Sequence, residues 1–335
     1  MSLYNIYGFV VSIEGPLDDI FSKEYTYFMI DAVPRKTDLF VKSSKAEGDF
    51  SIKLPERTLA RTIMGKYIPF RESENTLWYN KGVDCNSLIY YCEWLMWWPD
   101  KTRLHAGAVT KNGRSFIFTG GGGVGKTSCV LNLLKNGYDY LSDDWLIIGG
   151  NMAFPLPKRI HIFDYNLSDA EIAKRALGWK RFHYKLMCKL CDWGSRYALS
   201  KYSRFAFKVL KPKYLSIKLQ KLYPESKVAS PSKISKIFYL ERRNINKIKI
   251  ETDITSKELA RRMAYVNMYE WNDIFKEYYK YVYLFGIRNE RIENKLYHEL
   301  KLMHETFKDA EIYRVIIPKN IDLTKVKLTS LLELD

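Results

Sequence analysis

The chain has 335 residues, of which 15% are aromatic, and a formal net charge of +16. This aromatic content excludes a disordered chain, and the length is enough for one large domain or two modest ones with a buried core. A charge this far from zero suggests a polyanionic partner or surface.

Targeting signals and membrane spans are not recognisable in the sequence. The first residues lack a basic segment followed by an apolar one, and Glu93 interrupts the longest apolar run, Leu88–Trp98. We therefore expect a cytoplasmic protein without a spanning helix. The cysteines are odd in number and irregularly spaced, which is typical of reduced thiols. They are Cys85, Cys92, Cys129, Cys188 and Cys191.

The N-terminal region is predicted to be rich in β-strands. Residues 1 to about 82 contain short β-branched and aromatic runs, such as Phe9–Ile13 and Tyr25–Ile30, separated by glycine and proline. A mostly apolar segment, Asn86–Trp98, then predicts a buried helix that ends before Pro99. We expect residues 1–100 to form one region and residues 101–335 a second domain.

The second domain is predicted to alternate strands and helices. The predicted elements are, in chain order, a strand at Ser115–Thr119, a helix from Lys126 to about Asn136, a strand at Tyr138–Ile148, a helix opened by the capping box Ser168–Glu171, a strand at Ile237–Leu240, a long helix opened by the capping box Thr255–Glu258, a helix at Asn294–Phe307 and a strand at Ile312–Ile317.

A glycine-rich motif between the first strand and helix matches G-x-x-x-x-G-K-[ST]. Glycines let consecutive backbone N–H groups turn toward phosphate oxygens, and the following helix directs its positive end at the same place. The lysine offers a cation to the β- and γ-phosphates, and the threonine hydroxyl can ligate Mg²⁺. The motif predicts a nucleotide site formed by Gly120, Gly121, Gly122, Gly123, Val124, Gly125, Lys126, Thr127 and Ser128.

Two adjacent carboxylates, Asp143 and Asp144, follow in the next predicted strand. In P-loop enzymes this strand supplies a carboxylate to Mg²⁺, and a neighbouring carboxylate can act as a base. Side chains alternate along a strand, so both can reach one site only near a strand end or bulge. His105, just before the motif strand, is a further candidate for the site.

These segments together resemble the HPr kinase/phosphorylase catalytic domain and its relatives, which share the P-loop architecture of ATP-dependent phosphoenolpyruvate carboxykinase. The resemblance rests on Leu104–Val109, the glycine motif, Leu141–Asp144 and Phe154–Lys158. It implies an α/β fold with a P-loop domain of this type, ATP and Mg²⁺ as ligands, and an assembly into homo-oligomers. It also implies that Lys126, Asp143, Asp144 and His105 are catalytic and that Thr127 and Asp143 hold the metal.

A basic segment separates this region from the later strand. Lys174–Lys221 contains fourteen Lys and Arg and a single acid, Asp192, so fourteen less one gives +13 of the total +16. We interpret it as part of a basic helical insertion at about 168–225. Its interleaved aromatic residues suit an anionic membrane surface, RNA or single-stranded DNA, or an amphipathic lid that packs its rings on the core.

The leading functional hypothesis is transfer of a phosphoryl group from ATP to a hydroxyl on a protein, amino acid, sugar or lipid headgroup. The alternative is a nucleotide-switched module whose basic segment binds nucleic acid or an anionic membrane. Cys188 and Cys191 form a lone CxxC pair without the further ligands that a zinc site needs, so no zinc is predicted.

Overall fold

A computed structural model describes residues 1–32, 36–44, 58–59, 70–73, 76–80, 85–198, 200–211, 214–285, 288 and 290–332. They form a mixed α/β protein that contains a large mixed sheet. The chain divides into two compact units, the first comprising Met1–Leu104, Ile148–Gly150 and Ser256–Lys308, and the second His105–Ile147, Asn151–Thr255 and Asp309–Asp335. This division differs from the predicted one, because 256–308 belong to the first unit.

The first unit begins with a strand-rich segment. Its elements are β1 (Ser2–Ile6), β2 (Phe9–Ile13), α1 (Leu17–Tyr25), β3 (Met29–Ile30), β4 (Leu39–Ser44), β5 (Thr58–Leu59), β6 (Phe70–Ser73), β7 (Thr76–Asn80) and α2 (Cys85–Leu95). The strands pair in the order β3-β1-β2-β4-β7-β6-β5. Tyr7 and Gly8, at φ 52° and 93°, form the tight turn between β1 and β2.

The predicted strand at Tyr25–Ile30 is wrong for most of its length. Tyr25 ends helix α1, and only Met29–Ile30 is a strand. Phe21 and Tyr25, one helical turn apart, stack at 4.3 Å between ring centroids in the core. That contact favours the helix over the local β propensity. The part of the β-rich prediction that concerns 45–57 and 60–69 lies outside the described residues.

The remaining elements follow in chain order. They are β8 (Thr102–Lys111), β9 (Arg114–Thr119), α3 (Lys126–Lys135), β10 (Asp139–Ser142), β11 (Trp145–Gly149), β12 (Met152–Phe154), β13 (Ile160–Ile162), α4 (Ala170–Leu177), α5 (Arg181–Tyr197), α6 (Lys201–Leu210), β14 (Leu215–Ile217), α7 (Leu219–Leu222), β15 (Ser232–Arg243), β16 (Lys249–Glu251), α8 (Ser256–Glu270), α9 (Asn272–Phe285), α10 (Glu290–Glu293), α11 (Lys295–Phe307), β17 (Glu311–Pro318) and α12 (Thr329–Leu332).

Three parallel strands organise the second unit. Strand β15 lies between β9 and β17 and pairs in parallel with both. Phe118, Phe238 and Tyr313 stack across them, with ring centroids 5.2 Å and 5.5 Å apart. Parallel pairing brings the carboxyl ends of the three strands to one edge, where α/β proteins bind ligands. The glycine loop leaves β9 at this edge.

The predicted strand at Tyr138–Ile148 is divided into β10 and β11. Asp143 and Asp144 form the turn between them, and Asp144 has a left-handed φ of 80°. The Ser142 hydroxyl donates a hydrogen bond to the backbone carbonyl of Trp145 across this turn. Local β propensity predicts one continuous strand through Asp143 and Asp144. In the structure, the turn at these two residues ends strand β10 and separates it from β11.

The helices of the basic insertion lie in the chain between two strands that pair with each other. β13 and β14 pair antiparallel, so the helices α4, α5 and α6 leave and return at neighbouring points. Asp169 caps α4 by accepting hydrogen bonds from the backbone N–H groups of Glu171 and Ile172. The predicted capping box places the cap one residue earlier, at Ser168.

No helix in the described part of the chain is both long and apolar enough to cross a bilayer.

Candidate active site

The glycine loop fills the interval between β9 and α3. Gly120 has a φ of 142°, and a Cβ there would lie 2.6 Å from the carbonyl oxygen of Leu240. Gly125 has a φ of 114°, and its Cβ would lie 2.6 Å from a methyl carbon of Leu323. At Gly120 both the backbone conformation and the approach to a backbone carbonyl require glycine, and at Gly125 the left-handed backbone favours it. The shape of the loop therefore depends on these two glycines.

Lys126 turns back over the loop that precedes it. Its Nζ donates hydrogen bonds to the carbonyl oxygens of Gly120, at 3.1 Å, and Gly121, at 2.8 Å, and its side chain is buried. The middle of the loop, Gly122 and Gly123, is exposed, with Val124 half-buried. The ammonium group of Lys126 is thus held by backbone carbonyls at the start of α3, where the positive end of the helix dipole favours an anion.

Thr127 joins the loop to the acidic turn. Its hydroxyl donates to Oδ1 of Asp143 at 2.9 Å. The next residue, Ser128, is buried, and its hydroxyl accepts from the amide nitrogen of Asn166 at 3.0 Å. The first turn of α3 is therefore held from two sides, by the turn after β10 and by the segment after β13.

Asp143 is almost completely buried, with 2% of its surface exposed. Burial, and then the neighbouring charge of Asp144, raises the pKa of its carboxyl to about 7. Hydrogen bonds from the Thr127 hydroxyl and the backbone N–H of His161, and the charge of Lys126, oppose this rise. The carboxylate lies where a cation would stabilise its charged form.

Asp144 is more accessible and lies beside His105. Its side chain is 42% exposed, and its Oδ1 is 3.6 Å from Nε2 of the buried histidine. The backbone N–H of Ala106 donates to the carbonyl of Asp144 at 3.1 Å, and the Thr119 hydroxyl donates to the carbonyl of His105 at 3.0 Å. These bonds tie β8, the end of β9 and the acidic turn together. The structure thus brings all the predicted catalytic residues to one edge of the sheet.

Arg242, at the end of β15, was not identified from the sequence. Its Nε donates to the carbonyl of Val124 at 3.2 Å, and its Nη1 donates to the carbonyls of Pro318, Lys319 and Ile321 at 2.8–3.0 Å. The guanidinium therefore fastens the glycine loop to the chain that follows β17. Its place two residues after the predicted strand Ile237–Leu240 is the signal that could have drawn attention to it.

Asn132 on α3 binds the same segment after β17. This buried amide donates to the carbonyls of Leu323, Thr324 and Val326 at 2.8–3.0 Å. Burial, and then the charge of Asp143, raise the pKa of the hydroxyl of Tyr165, which is about half exposed. The sequence alone does not point to either residue.

The side chains present fit a nucleotide with Mg²⁺ better than an all-protein metal site. No group of three or more His, Cys, Asp or Glu that could hold a metal occurs among the described residues. Thr127 and Asp143 present two oxygens side by side, and Mg²⁺ commonly takes only one or two protein ligands with phosphate and water completing its shell.

In comparisons with models of known families and with curated proteins, nothing matches this chain.

Proposed function

We propose that this protein is an ATP-dependent phosphotransferase with a P-loop fold of the HPr-kinase-related type, acting on a hydroxyl acceptor. The observation that carries the proposal is the hydrogen bond between Thr127 and Asp143, which joins the glycine loop to a buried carboxylate. A glycine-rich turn without a ligand would not need a buried charge beside it, because burying a carboxylate is costly unless it is compensated.

The proposed roles follow from exposure and contact. The loop N–H groups and Lys126 bind the phosphates of ATP, and Thr127 with Asp143 holds Mg²⁺, which when bound neutralises charge on the transferred group. Asp143 is assigned to the metal because it is buried and contacts Thr127. Asp144 is assigned the proton of the acceptor hydroxyl because it is accessible and lies next to His105.

The proposed reaction is then an in-line displacement. The acceptor oxygen forms a bond to the γ-phosphorus as its proton passes to Asp144, and the bond from the γ-phosphorus to the bridging oxygen breaks to release ADP. Positioning and charge stabilisation supply most of the catalysis in such transfers. The loop shape enforced at Gly120 and Gly125 and the fastening by Arg242 provide the required rigidity.

The test is transfer of label from γ-labelled ATP to pools of proteins, amino acids, sugars and lipids. We expect label on one acceptor class with the wild type and a loss of about a thousandfold or more with Lys126→Met, because the lysine contacts the transferred group. Lys227→Met, which removes an exposed lysine of the same unit, is the matched control and should retain activity.

Two further variants separate the assigned roles. Asp143→Asn should raise the Mg²⁺ concentration needed for activity, whereas Asp144→Asn should lower the turnover number at any Mg²⁺ concentration. Full turnover by Lys126→Met would refute the proposal. Tight binding of ATP by the wild type without transfer to any acceptor would favour the nucleotide-switched module instead.

A further inference from the structure

The longest helix of the basic insertion exposes an unbroken apolar stripe. Five side chains of α5 at spacings of four, four, three and four residues are between 47% and 72% exposed. At 100° per residue these positions fall within about 80° of one another around the helix. They are Phe182, Leu186, Leu190, Trp193 and Tyr197.

The opposite side of α5 is the one that packs. On that side the Tyr184 hydroxyl donates to Asp164 at 2.9 Å and Cys191 is buried. Gly194, which lies between that side and the stripe, is also buried, and a Cβ there would overlap the ring of Phe207 on α6. The helix therefore meets the protein through one face and turns its larger apolar side chains away. An amphipathic lid that packs its rings on the core is consequently excluded for the α5 stripe.

Other elements of the insertion expose further aromatic rings. Trp179 precedes α5, and Tyr202 and Phe205 lie on α6, with 79%, 87% and 68% of their surfaces exposed. A row of large exposed apolar side chains such as the α5 stripe marks an interaction site rather than an ordinary solvated face. We call the α5 stripe with these three side chains the apolar surface of the insertion.

Cations border the apolar surface. Lys185, Lys189 and Arg196 are exposed and lie within about 60° of the edge of the stripe at 100° per residue. The single acid of the segment, Asp192, pairs with Lys211 at 3.0 Å, which reduces its negative charge toward a partner. The partner must therefore accept apolar side chains and carry negative charge.

We propose that the apolar surface of the insertion docks the protein on an anionic lipid bilayer, with α5 lying in the plane of the membrane interface. An interfacial helix inserts its apolar face to the level of the acyl chains and keeps its cations among the headgroups. Trp and Tyr occupy the headgroup level, and Lys and Arg extend along it toward lipid phosphates. This docking is independent of the proposed phosphoryl transfer.

The composition of the stripe favours lipid over other partners. Nucleic acid is bound by stacking on aromatic rings, and the aliphatic side chains of Leu186 and Leu190 at its centre cannot stack on bases. A second copy of this chain would bring two segments of charge +13 together, which repels. A bilayer with anionic lipid satisfies both the hydrocarbon and the charge.

The first test is co-sedimentation with vesicles of phosphatidylcholine alone or mixed with phosphatidylglycerol. We expect the full-length protein to bind the mixed vesicles, and the pair Phe182→Ser and Trp193→Ser to weaken partitioning about tenfold or more, because two large apolar side chains no longer enter the interface. The matched control is Tyr269→Ser with Tyr297→Ser, which removes two rings that are 76% and 72% exposed outside the insertion.

The second test addresses charge and insertion separately. Lys185→Glu with Lys189→Glu should reduce binding to the mixed vesicles about tenfold or more. Lipids brominated on their acyl chains should quench tryptophan emission in the wild type, and replacing Trp179 and Trp193 by Phe should remove most of this quenching while vesicles are still bound.

Three results would overturn the proposal. They are equal binding of the Phe182→Ser and Trp193→Ser pair and the wild type, quenching that persists without Trp179 and Trp193, and binding to single-stranded poly(U) but not to vesicles at physiological salt. Because every substituted side chain is exposed, circular dichroism and thermal unfolding of each variant should match those of the wild type.

Discussion

Replacing Asp143 by asparagine tests the electrostatics of the candidate site without any assumption about its substrate. In the folded protein, burial and the charge of Asp144 raise the pKa of Asp143 from an ordinary value of 3.8 to about 7. Below pH 3.8 the carboxyl is protonated in both the folded and the unfolded state. As the pH rises toward 7, the unfolded chain loses this proton first, so the folded state loses stability relative to it.

The size of this loss follows from the interval between the two pKa values. A difference of one pKa unit between the folded and the unfolded state corresponds to about 1.4 kcal/mol of folding free energy. The ionised Asp143 therefore lowers the stability of the folded state at pH 8 by at most about 4 kcal/mol. Asparagine keeps an oxygen for the Thr127 hydroxyl, but it adds an amide N–H₂ group that costs about 1–2 kcal/mol if it finds no acceptor. We expect Asp143→Asn to be about 2 kcal/mol more stable than the wild type at pH 8.

The assay is thermal unfolding between pH 4 and pH 8 in the presence of EDTA and without nucleotide. For a chain of 335 residues, a gain of about 2 kcal/mol corresponds to an increase in Tm of about 3 °C. The gain should vanish near about pH 5 and reverse at pH 4, where only the cost of the added amide remains. Asp139→Asn, which removes an exposed carboxylate at the start of β10, should leave the Tm unchanged. A variant that is less stable than the wild type at pH 8, or a difference independent of pH, would refute the reasoning.

Three further variants address the loop and its supports. Gly120→Ala should cost at least about 2 kcal/mol in urea unfolding, because its φ is 142° and a Cβ would meet a backbone carbonyl, whereas Gly121→Ala, with no atom within 4 Å of its Cβ, should stay within about 0.5 kcal/mol of the wild type. Equal costs would contradict the loop geometry. Asn132→Asp should destabilise by about 3 kcal/mol or more, because it sets a buried carboxylate against three carbonyl oxygens. The same change at the exposed Asn246 should cost less than about 1 kcal/mol, and a similar cost at both positions would argue against the contact. Arg242→Lys should raise the KM for ATP about tenfold, because an ammonium group cannot reproduce the guanidinium fork, and an unchanged KM would show that the loop needs no such fastening.

Local sequence information was sufficient for the elements that carry the glycine loop. The predicted strand at Ser115–Thr119 and helix from Lys126 correspond to β9 and α3, whose bounds differ by one residue at an end. Strand and helix periodicity, with glycines where the backbone must be left-handed, is encoded within a few residues. The same holds for the predicted helix at Asn294–Phe307, which is α11.

The acidic pair shows where local information ends. Its position after helix α3 is readable from the sequence, yet β propensity predicts one strand through Asp143 and Asp144, where the structure has a turn. Only the fold decides that Asp143 is buried against Thr127 and that Asp144 is exposed beside His105. The burial of each carboxyl, and hence the pKa of Asp143, depends on neighbours that are distant in sequence.

The residues that support the loop, and the surface of the insertion, were decided by tertiary structure alone. Arg242 reaches a loop residue 118 positions away, and Asn132 reaches carbonyls 191 or more positions away, so no local pattern marks them. The periodic spacing of apolar residues along α5 shows only that one side of the helix is apolar. It does not show whether that side packs on the protein's own core or faces outward toward a partner. The sequence by itself determined the glycine-rich loop and the concentration of charge, whereas the packing of the other side of α5 decided that the stripe points outward.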